Sequence, residues 1–131
     1  MLYRNARYRV ILATDDMGRA YPGFCRLIWT EHVAEMTDLS ENDQREVLTA
    51  LLAVESAVRE VLNPDKINLA SFGNMVPHLH WHVIPRWQND AAFPGSVWSP
   101  VVRPGTVPRE SLDSLAARLT TALVARLGPG A

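Results

Sequence analysis

The sequence predicts an α+β fold, in which an antiparallel sheet of about five strands packs with one long helix and a C-terminal helix. Three observations indicate this class: short apolar runs bounded by turn residues, a long central stretch with apolar residues at every third or fourth position, and a second such stretch near the C-terminal end. A chain of 131 residues can bury a core without disulfide or metal staples. We therefore expect a single domain spanning residues 1–131.

The first two strands are expected to form an antiparallel pair. Residues 8–13 and 24–29 are rich in apolar side chains, and turn signals at residues 15–18 and 21–23 separate them. Two successive strands joined by a turn pair most simply as neighbours. Cys25, the one cysteine, falls in the second strand, where we expect a small buried side chain and no internal disulfide.

A long helix is predicted over residues 41–62. Ser40 precedes it and Asp43 follows three positions later, which resembles a capping box, and the Asn-Pro-Asp sequence at residues 63–65 ends it. Since its apolar positions are three or four apart, we expect one face to pack on the core. These positions are Val47, Leu51, Val54, Val58 and Val61.

The remaining segments alternate regular and irregular structure. Residues 66–72 predict a third strand, and residues 87–107 hold several prolines and glycines without periodicity, which indicates an irregular loop of about 20 residues. A loop of this length favours a binding segment or a partner contact. A C-terminal helix is predicted over residues 108–127, with Pro108 in its first turn. Its apolar stripe is Leu112, Leu115, Leu119 and Leu123.

Three of the four histidines lie at alternate positions in one further predicted strand. Because side chains two residues apart leave the same face of a sheet, His78, His80 and His82 share one face, and the core lies on the other. Three uses fit this arrangement: a nucleophile with helpers, a metal site, or polar residues on an exposed sheet face. Three ligands in line along a strand rarely converge on one ion, which makes the central His80 the candidate for a distinct role.

The bulk composition argues against two classes of partner. The formal net charge is -1 at pH 7, so the chain lacks the basic surplus that binds a polynucleotide backbone, whereas a single nucleotide is not excluded. No run of about 18 apolar residues indicates a membrane span, and the N-terminal sequence leads into no apolar stretch typical of a signal peptide. We expect a cytoplasmic protein with no membrane partner.

The segment His78-Leu79-His80-Trp81-His82-Val83-Ile84 matches the pattern His-φ-His-φ-His-φ-φ, in which φ is hydrophobic. This pattern resembles the signature of the histidine triad (HIT) family of nucleotide hydrolases and transferases. The segments Tyr21-Pro22-Gly23-Phe24, His32 and Thr37-Asp38-Leu39-Ser40 resemble further parts of the family layout, so the similarity covers about residues 8–98. The resemblance implies a HIT-like fold and a homodimer in which the sheets of two subunits join.

The resemblance also implies a mechanism. His80 would attack the α-phosphorus of a dinucleoside polyphosphate or a nucleoside phosphoramidate, and water would then break the nucleotidyl-histidine. His82 would donate to phosphate oxygens, while His78 and His32 would support the cluster. No metal or other cofactor is expected. Two alternatives stay open, a non-catalytic module that binds or senses nucleotides and a metal-dependent hydrolase.

The family layout suggests three residues for substrate binding, each of which also has a plain structural interpretation. Asn74 matches an amide that binds phosphate, or it is a turn residue after Gly73. Asp16 falls where the family binds the ribose hydroxyls, or it belongs to an ordinary turn. His32 joins the site, or it is a surface histidine after a strand.

The loop and its neighbours add three further expectations. Phe24 stands where the family pattern Pro-Gly-His has a histidine, so an aromatic ring replaces a polar group expected near the phosphates. Arg86 is expected to be a solvated strand end, with a contact to phosphate as the alternative. Trp98 is expected to cover the site, to pack in a subunit interface, or to belong to a small apolar cluster beneath the loop, and the sequence does not decide among the three.

Overall fold

Five strands and three α-helices make up the fold, and the structure, a computed structural model, describes all 131 residues. The strands are β1 (Tyr3–Arg4), β2 (Tyr8–Leu12), β3 (Cys25–Trp29), β4 (Lys66–Ala70) and β5 (His80–Arg86). The helices are α1 (Asp16–Ala20), α2 (Glu41–Leu62) and α3 (Leu112–Leu127), with a 3-10 turn at Met36–Asp38. All the strands join one antiparallel sheet in the order β1-β2-β3-β5-β4, which confirms the predicted α+β class.

The two faces of the sheet have different environments. Helix α2 packs on one face and α3 packs on α2, so the side chains that alternate toward them are buried in one apolar core. This core face includes Val10, Leu27, Trp29 and Val83, each at most 1% exposed. The opposite face carries the alternate residues of the same strands, and at one end it is covered by a second, smaller cluster in which Ile84 packs with Phe24 and with Met17 of α1. The period of two along each strand therefore separates packing from chemistry.

Helix α2 has the bounds that its sequence predicts. The Ser40 hydroxyl accepts a hydrogen bond from the Asp43 amide at 3.2 Å, which caps the first turn. Asn63 adopts a left-handed conformation with φ of 46° and ends the helix. The stripe Val47, Leu51, Val54 and Val58 is buried, and Val61 is half-buried. None of the helices is both long and apolar enough to cross a membrane.

Three elements before the C-terminal helix differ from the sequence expectation. The segment expected as a turn at residues 15–18 holds the short helix α1, because the Asp15 carboxylate accepts from the Gly18 amide at 3.2 Å and caps it. Strand β5 begins at His80, so His78 and Leu79 precede the strand. Strand β1, only two residues long, was not predicted, since so short a segment carries no periodicity.

The last helix begins at Leu112, four residues after the predicted start at Pro108. Ser111 is the N-cap, and its hydroxyl accepts from the Ser114 amide at 3.1 Å. A proline suits the first turn of a helix, but a serine that caps the backbone amides decides the start here. Leu112 is 39% exposed as a result, whereas Leu115, Leu119 and Leu123 are buried as predicted.

The irregular segment after β5 is anchored by a buried ion pair. Residues 87–111 contain no helix or strand, as the sequence predicts for residues 87–107. Arg86 is 1% exposed, so the expectation of a solvated strand end is wrong. Its Nε donates to Oδ2 of Asp90 at 2.8 Å, and Nη2 donates to Oδ1 at 3.0 Å. Arg86 therefore holds the loop against the sheet.

Cys25 is buried on the core face of β3, as expected for a small apolar side chain. Burial raises the pKa of its thiol to about 12. The thiol is therefore protonated at neutral pH and serves packing.

Candidate active site

The histidines gather on the open face of the sheet, where β5 pairs with β3. In this antiparallel register His80 lies opposite Ile28, and His82 lies opposite Arg26. His78 precedes the strand, but the main chain continues the alternation, since Leu79 is buried in the core and the Trp29 amide donates to its carbonyl at 3.2 Å. The predicted separation of imidazoles from apolar residues therefore holds at this end of β5.

His80 has one ring nitrogen fixed and the other free. Its Nδ1 lies 2.6 Å from the carbonyl oxygen of His78. A carbonyl oxygen only accepts, so Nδ1 carries the proton and donates it. In the neutral ring the lone pair is then on Nε2, which faces the open side of the sheet. The backbone of the histidine segment thus sets the tautomer that a nucleophilic imidazole needs.

His78 and His32 form a second pair beside His80. Nε2 of His78 donates to the Trp29 carbonyl at 2.6 Å, so its Nδ1 offers a lone pair. Nδ1 of His32 lies 2.9 Å from that atom and donates to it. The structure therefore brings His32 to the cluster from the loop after β3, and the exposed His32 ring holds the orientation of His78.

His82 is buried and surrounded by rings. It is 7% exposed, and its Nδ1 has no hydrogen-bond partner. The ring centroids of Phe24, Phe72, His80 and Trp98 lie 5.6, 6.2, 5.2 and 5.2 Å from its own. Burial, followed by the nearby His80 and Arg26, lowers the pKa of His82 from 6.5 to about 4. His82 is therefore neutral at pH 7 and can donate only one N–H.

Phe24 is one of the rings around His82 and is itself 1% exposed. The ring stands edge-on to His82 and to Trp98, and the guanidinium carbon of Arg26 lies 5.5 Å from its centroid. The histidine that the family pattern has at this position would bring polar atoms to this surface. Phe24 brings none, which accords with a buried His82 nitrogen that lacks a partner.

Two clefts meet at His80. The larger one, about 1020 Å³, runs along β4 and is lined by His80, His82, Phe72, Met75, Ile84 and Trp98 among others; we call it the apolar cleft. The smaller one, about 500 Å³, lies on the β2 side and contains Arg9, Arg26, His32, His78 and His80; we call it the basic cleft. His80 is the one histidine that lines both. A molecule bound at His80 would therefore contact apolar side chains on one side and cationic side chains on the other.

The substrate-binding candidates differ in their placement. Asn74 lies in the exposed β4–β5 loop and lines the apolar cleft. Asp16 lines neither cleft, and its fully exposed carboxylate pairs with Arg19 at 2.7 Å. Its predicted contact with ribose stays a prediction. No group of three or more His, Cys, Asp or Glu side chains is arranged to hold a metal ion.

Three side chains at the clefts were not singled out from the sequence: Phe72, Arg9 and Arg26. Alternation along β2 and β3 places both arginines on the face away from the core, so the sequence carried that signal. Their approach to the histidines depends on the β2-β3-β5 order, which no local pattern reveals. The Trp98 ring lies 5.2 Å from that of His82 and 5.0 Å from that of Phe72, so it lies against one of the histidines.

A family model described as the HIT domain matches residues 2–89, which is more than half of the chain. The chain belongs to the HIT family. Among HIT structures, a histidine triad protein from Marinobacter aquaeolei VT8 is 31% identical with a TM-score of 0.78, and the match covers 95% of this chain and 88% of that one. A histidine triad protein from Bradyrhizobium japonicum is 28% identical with a TM-score of 0.74, covering 96% and 88%.

Among curated relatives, an AP-4-A phosphorylase from Mycobacterium tuberculosis is 27% identical over 94 residues, which are 67% of this chain and 48% of that protein. An uncharacterized HIT-like protein from Saccharolobus solfataricus is also 27% identical, over 95 residues. The chain thus spans about half the length of the mycobacterial relative.

Proposed function

We propose that this HIT protein is a nucleotide hydrolase or nucleotidyl transferase in which His80 is the nucleophile. The observation that carries the proposal is the hydrogen bond from Nδ1 of His80 to the His78 carbonyl, because it leaves the lone pair of Nε2 free on the open face. The substrate is a nucleotide with a leaving group on its α-phosphorus, either a dinucleoside polyphosphate or a nucleoside phosphoramidate. The name of the mycobacterial relative supports a diadenosine polyphosphate.

The reaction proceeds in two displacements. Nε2 of His80 attacks the α-phosphorus, the bond to the leaving group breaks, and the leaving atom keeps the electron pair. Water then attacks the same phosphorus, the P–N bond breaks, the electron pair returns to Nε2, and the proton of the water is released to solvent. Dividing one hard displacement into two easier ones is the benefit of a covalent intermediate.

The neighbouring side chains have supporting roles in this proposal. His82 donates its single N–H to a phosphate oxygen, and His78, held by Trp29 and His32, keeps the carbonyl that orients His80 in place. Asn74 is suited to donate to phosphate from the rim of the apolar cleft. The rings of Phe72 and Trp98 offer a surface on which a nucleobase can stack.

The test compares His80→Ala with Ser71→Ala. The Ser71 hydroxyl donates to the His80 carbonyl at 2.7 Å, so its removal disturbs the same strand without removing the nucleophile. With diadenosine tetraphosphate and adenosine 5′-phosphoramidate as substrates, kcat of the folded His80→Ala protein falls by about 10⁴-fold or more, as for other covalent nucleophiles. Ser71→Ala stays within about threefold, since an exposed hydrogen bond contributes little. Wild-type turnover by His80→Ala would refute the proposal.

A second candidate is a module that binds nucleotides without turning them over. Two features favour it: Phe24 stands where the family pattern has a histidine, and Nδ1 of His82 has no hydrogen-bond partner. Both make the site less polar than the family pattern implies. Isothermal titration calorimetry that finds tight binding of adenosine monophosphate, together with no cleavage across the substrate panel, supports this alternative. An assay with chelator tests the expected independence from metal, since a metal-free route keeps its full rate.

We also propose that two copies of the chain associate along the β4 edge. The outer side of β4 has no strand partner, and the segment from β4 to β5 exposes the apolar side chains Leu69, Met75 and Val76. An open edge next to exposed apolar groups is a typical site for sheet extension. Sedimentation equilibrium tests this proposal, with a dimer mass expected for the wild-type protein and a monomer mass for Leu69→Lys.

A further inference from the structure

Three arginines are buried or half-buried, and Arg26 alone among them has no partner for its guanidinium group. Arg86 donates to a carboxylate, a side-chain amide and a carbonyl group, and Arg103 donates to two carbonyl groups. Arg26 makes no ion pair and no hydrogen bond with the protein. A cation that is partly withdrawn from water without a partner lowers stability, so its presence indicates a use in binding or catalysis.

The sheet register places Arg26 next to the histidines on the open face of the sheet. On β3 it lies opposite Ile11 of β2 and opposite His82 of β5. Neighbouring strands are about 4.8 Å apart, so its side chain rises beside the His82 ring. The ring centroid of His80 lies 5.2 Å from that of His82, and Arg26 lines the basic cleft together with His80. Arg26 is therefore one strand away from the histidines, whereas Arg9, the other arginine of this cleft, is two strands away.

Phe24 orients the guanidinium group of Arg26. The guanidinium carbon lies 5.5 Å from the centroid of the Phe24 ring, which is a cation–π contact. The Phe24 ring is 1% exposed, and its centroid lies 5.6 Å from that of His82, so packing fixes its position. A contact with a ring face uses none of the N–H donors of the cation. All five N–H groups of Arg26 therefore remain for a ligand.

Neither His82 nor Phe24 supplies positive charge beside His80. Burial, followed by the nearby His80 and Arg26, lowers the pKa of His82 to about 4, so this ring is neutral at pH 7. Phe24 is apolar, although the family pattern has a histidine at its position. A guanidinium group stays charged at every pH near neutrality, and its planar fork matches two oxygens of a phosphate. Arg26 therefore has the charge that a phosphate needs and that these two rings lack.

We propose that Arg26 is a catalytic residue, which donates to the non-bridging oxygens of the α-phosphate while Nε2 of His80 attacks the phosphorus. The inference rests on the proposed function and deepens it, because it assigns the positive charge that acts on the reacting phosphate. As the P–N bond forms, the bond to the leaving group breaks and the leaving atom keeps the electron pair. Arg26 exchanges no proton in this step. It stabilises charge on the oxygens that stay on phosphorus, so its effect does not depend on the leaving group.

The kinetic test compares Arg26→Met and Arg26→Lys with the matched control Arg109→Met. Methionine keeps a long side chain that can pack on Phe24 but has no charge and no donor, whereas lysine keeps the charge without the planar fork. Arg109 is exposed and unpaired, and it lines neither cleft. Urea unfolding of each variant establishes that it is folded before its rates are compared.

The expected result is a loss of kcat that is the same for two different leaving groups. For Arg26→Met, kcat falls about 10²- to 10³-fold with diadenosine tetraphosphate and with adenosine 5′-phosphoramidate, as on removal of a donor to a developing oxyanion. Arg26→Lys recovers about tenfold of this loss, and Arg109→Met stays within about twofold of the wild type. Wild-type kcat in folded Arg26→Met overturns the proposal. A loss with only one of the two substrates assigns Arg26 to the leaving group and overturns it as well.

A binding measurement separates failure of this contact from failure of the proposed function. Calorimetry with adenosine monophosphate needs no turnover, and Arg26→Met is expected to bind it at least about tenfold more weakly than the wild type and Arg109→Met do. Adenosine, which lacks the phosphate, is titrated by NMR and binds all three proteins equally. If both results are found in a protein that cleaves neither substrate, the contact stands and the proposed catalysis falls. Equal binding of adenosine monophosphate, or an equal loss for adenosine, overturns the contact with phosphate.

Discussion

The two ends of strand β5 both carry buried polar side chains, but only one end satisfies their hydrogen bonds. At the C-terminal end, Arg86 donates to Asp90, to the Asn68 side chain at 2.9 Å and to the Gly95 carbonyl at 2.7 Å. At the N-terminal end, His82 is almost as deeply buried, yet its Nδ1 has no partner. The contrast lies within one strand, four residues apart.

The difference indicates what each end is for. A buried polar atom without a partner costs about 1–3 kcal/mol, and such costs are found mainly where function requires them. Burial raises the pKa of the Asp90 carboxyl, but the hydrogen bonds from Arg86 and from three backbone amides outweigh burial and hold the pKa below its ordinary value. The Arg86 end is therefore built for stability, whereas the His82 end keeps a neutral imidazole beside His80 at a cost in stability.

Removing the buried Arg86–Asp90 ion pair has the largest expected effect on stability. Asp90→Ala leaves the Arg86 charge buried without its partner, which lowers the free energy of unfolding by about 3–5 kcal/mol. Urea unfolding at pH 7 measures this loss. The control is Asp65→Ala, whose exposed carboxylate accepts one hydrogen bond from the Gln88 amide and contributes about 1 kcal/mol or less. Equal losses in the two variants would contradict the structural role of the Arg86 end.

The lowered pKa of His82 predicts a pH dependence of stability. In the unfolded chain His82 takes up a proton near its ordinary pKa of 6.5, whereas in the folded protein it does so only near 4. The free energy of unfolding therefore has its full His82 contribution above pH 6.5 and loses it as the pH falls toward 4. Since one pKa unit corresponds to about 1.4 kcal/mol, the loss approaches about 3 kcal/mol.

Carboxylates also titrate in this range, so variants isolate the histidine. Urea unfolding at pH 7, 5.5 and 4 is expected to show a shallower decline for His82→Phe than for the wild-type protein. Ser71→Ala, which removes an exposed hydroxyl that does not titrate, keeps the wild-type slope. Parallel curves for His82→Phe and the wild type would show that His82 is not held neutral by the fold.

Removing Trp98, one of the aromatic side chains that surround His82, has the smallest expected effect. Trp98 is 48% exposed, so Trp98→Ala costs little core packing, but it admits water to His82. Because burial is the main cause of the lowered pKa, the pKa of His82 rises by about one unit, or about 1.4 kcal/mol. An NMR titration of the His82 ring measures the shift, with Val101→Ala from the same loop as a control. An unchanged His82 pKa would show that Trp98 does not exclude water from this site.

The same comparison shows how far sequence patterns reach. Helix α2 and strands β2, β3 and β4 follow from apolar periodicity, caps and turn residues, which are local signals. The burial of Arg86 at the end of β5 does not follow from local signals. It depends on Asp90, which an irregular loop brings back to the arginine. The start of α3 was missed for a similar reason, since Pro108 and Ser111 both suit a helix start and only the chain path chooses.

The sequence predicts the part of the candidate site that lies within one strand segment. The alternate histidines, and the choice of His80 as the candidate for a distinct role, follow from a period of two. The lowered pKa of His82 and the pairing of His32 with His78 depend on side chains that distant segments bring together, including Phe24, Phe72 and Trp98. The basic cleft likewise depends on the order of strands in the sheet.

The most direct test of the account is to trap the covalent intermediate. The wild-type protein is mixed with diadenosine tetraphosphate, quenched in alkali to preserve an acid-labile P–N bond, and analysed by intact mass and peptide mapping. The account predicts an adenylyl group on the peptide that contains His80, its loss after mild acid, and its absence from His80→Ala. Turnover without any adduct under single-turnover conditions, or an adduct on a histidine other than His80, would contradict it.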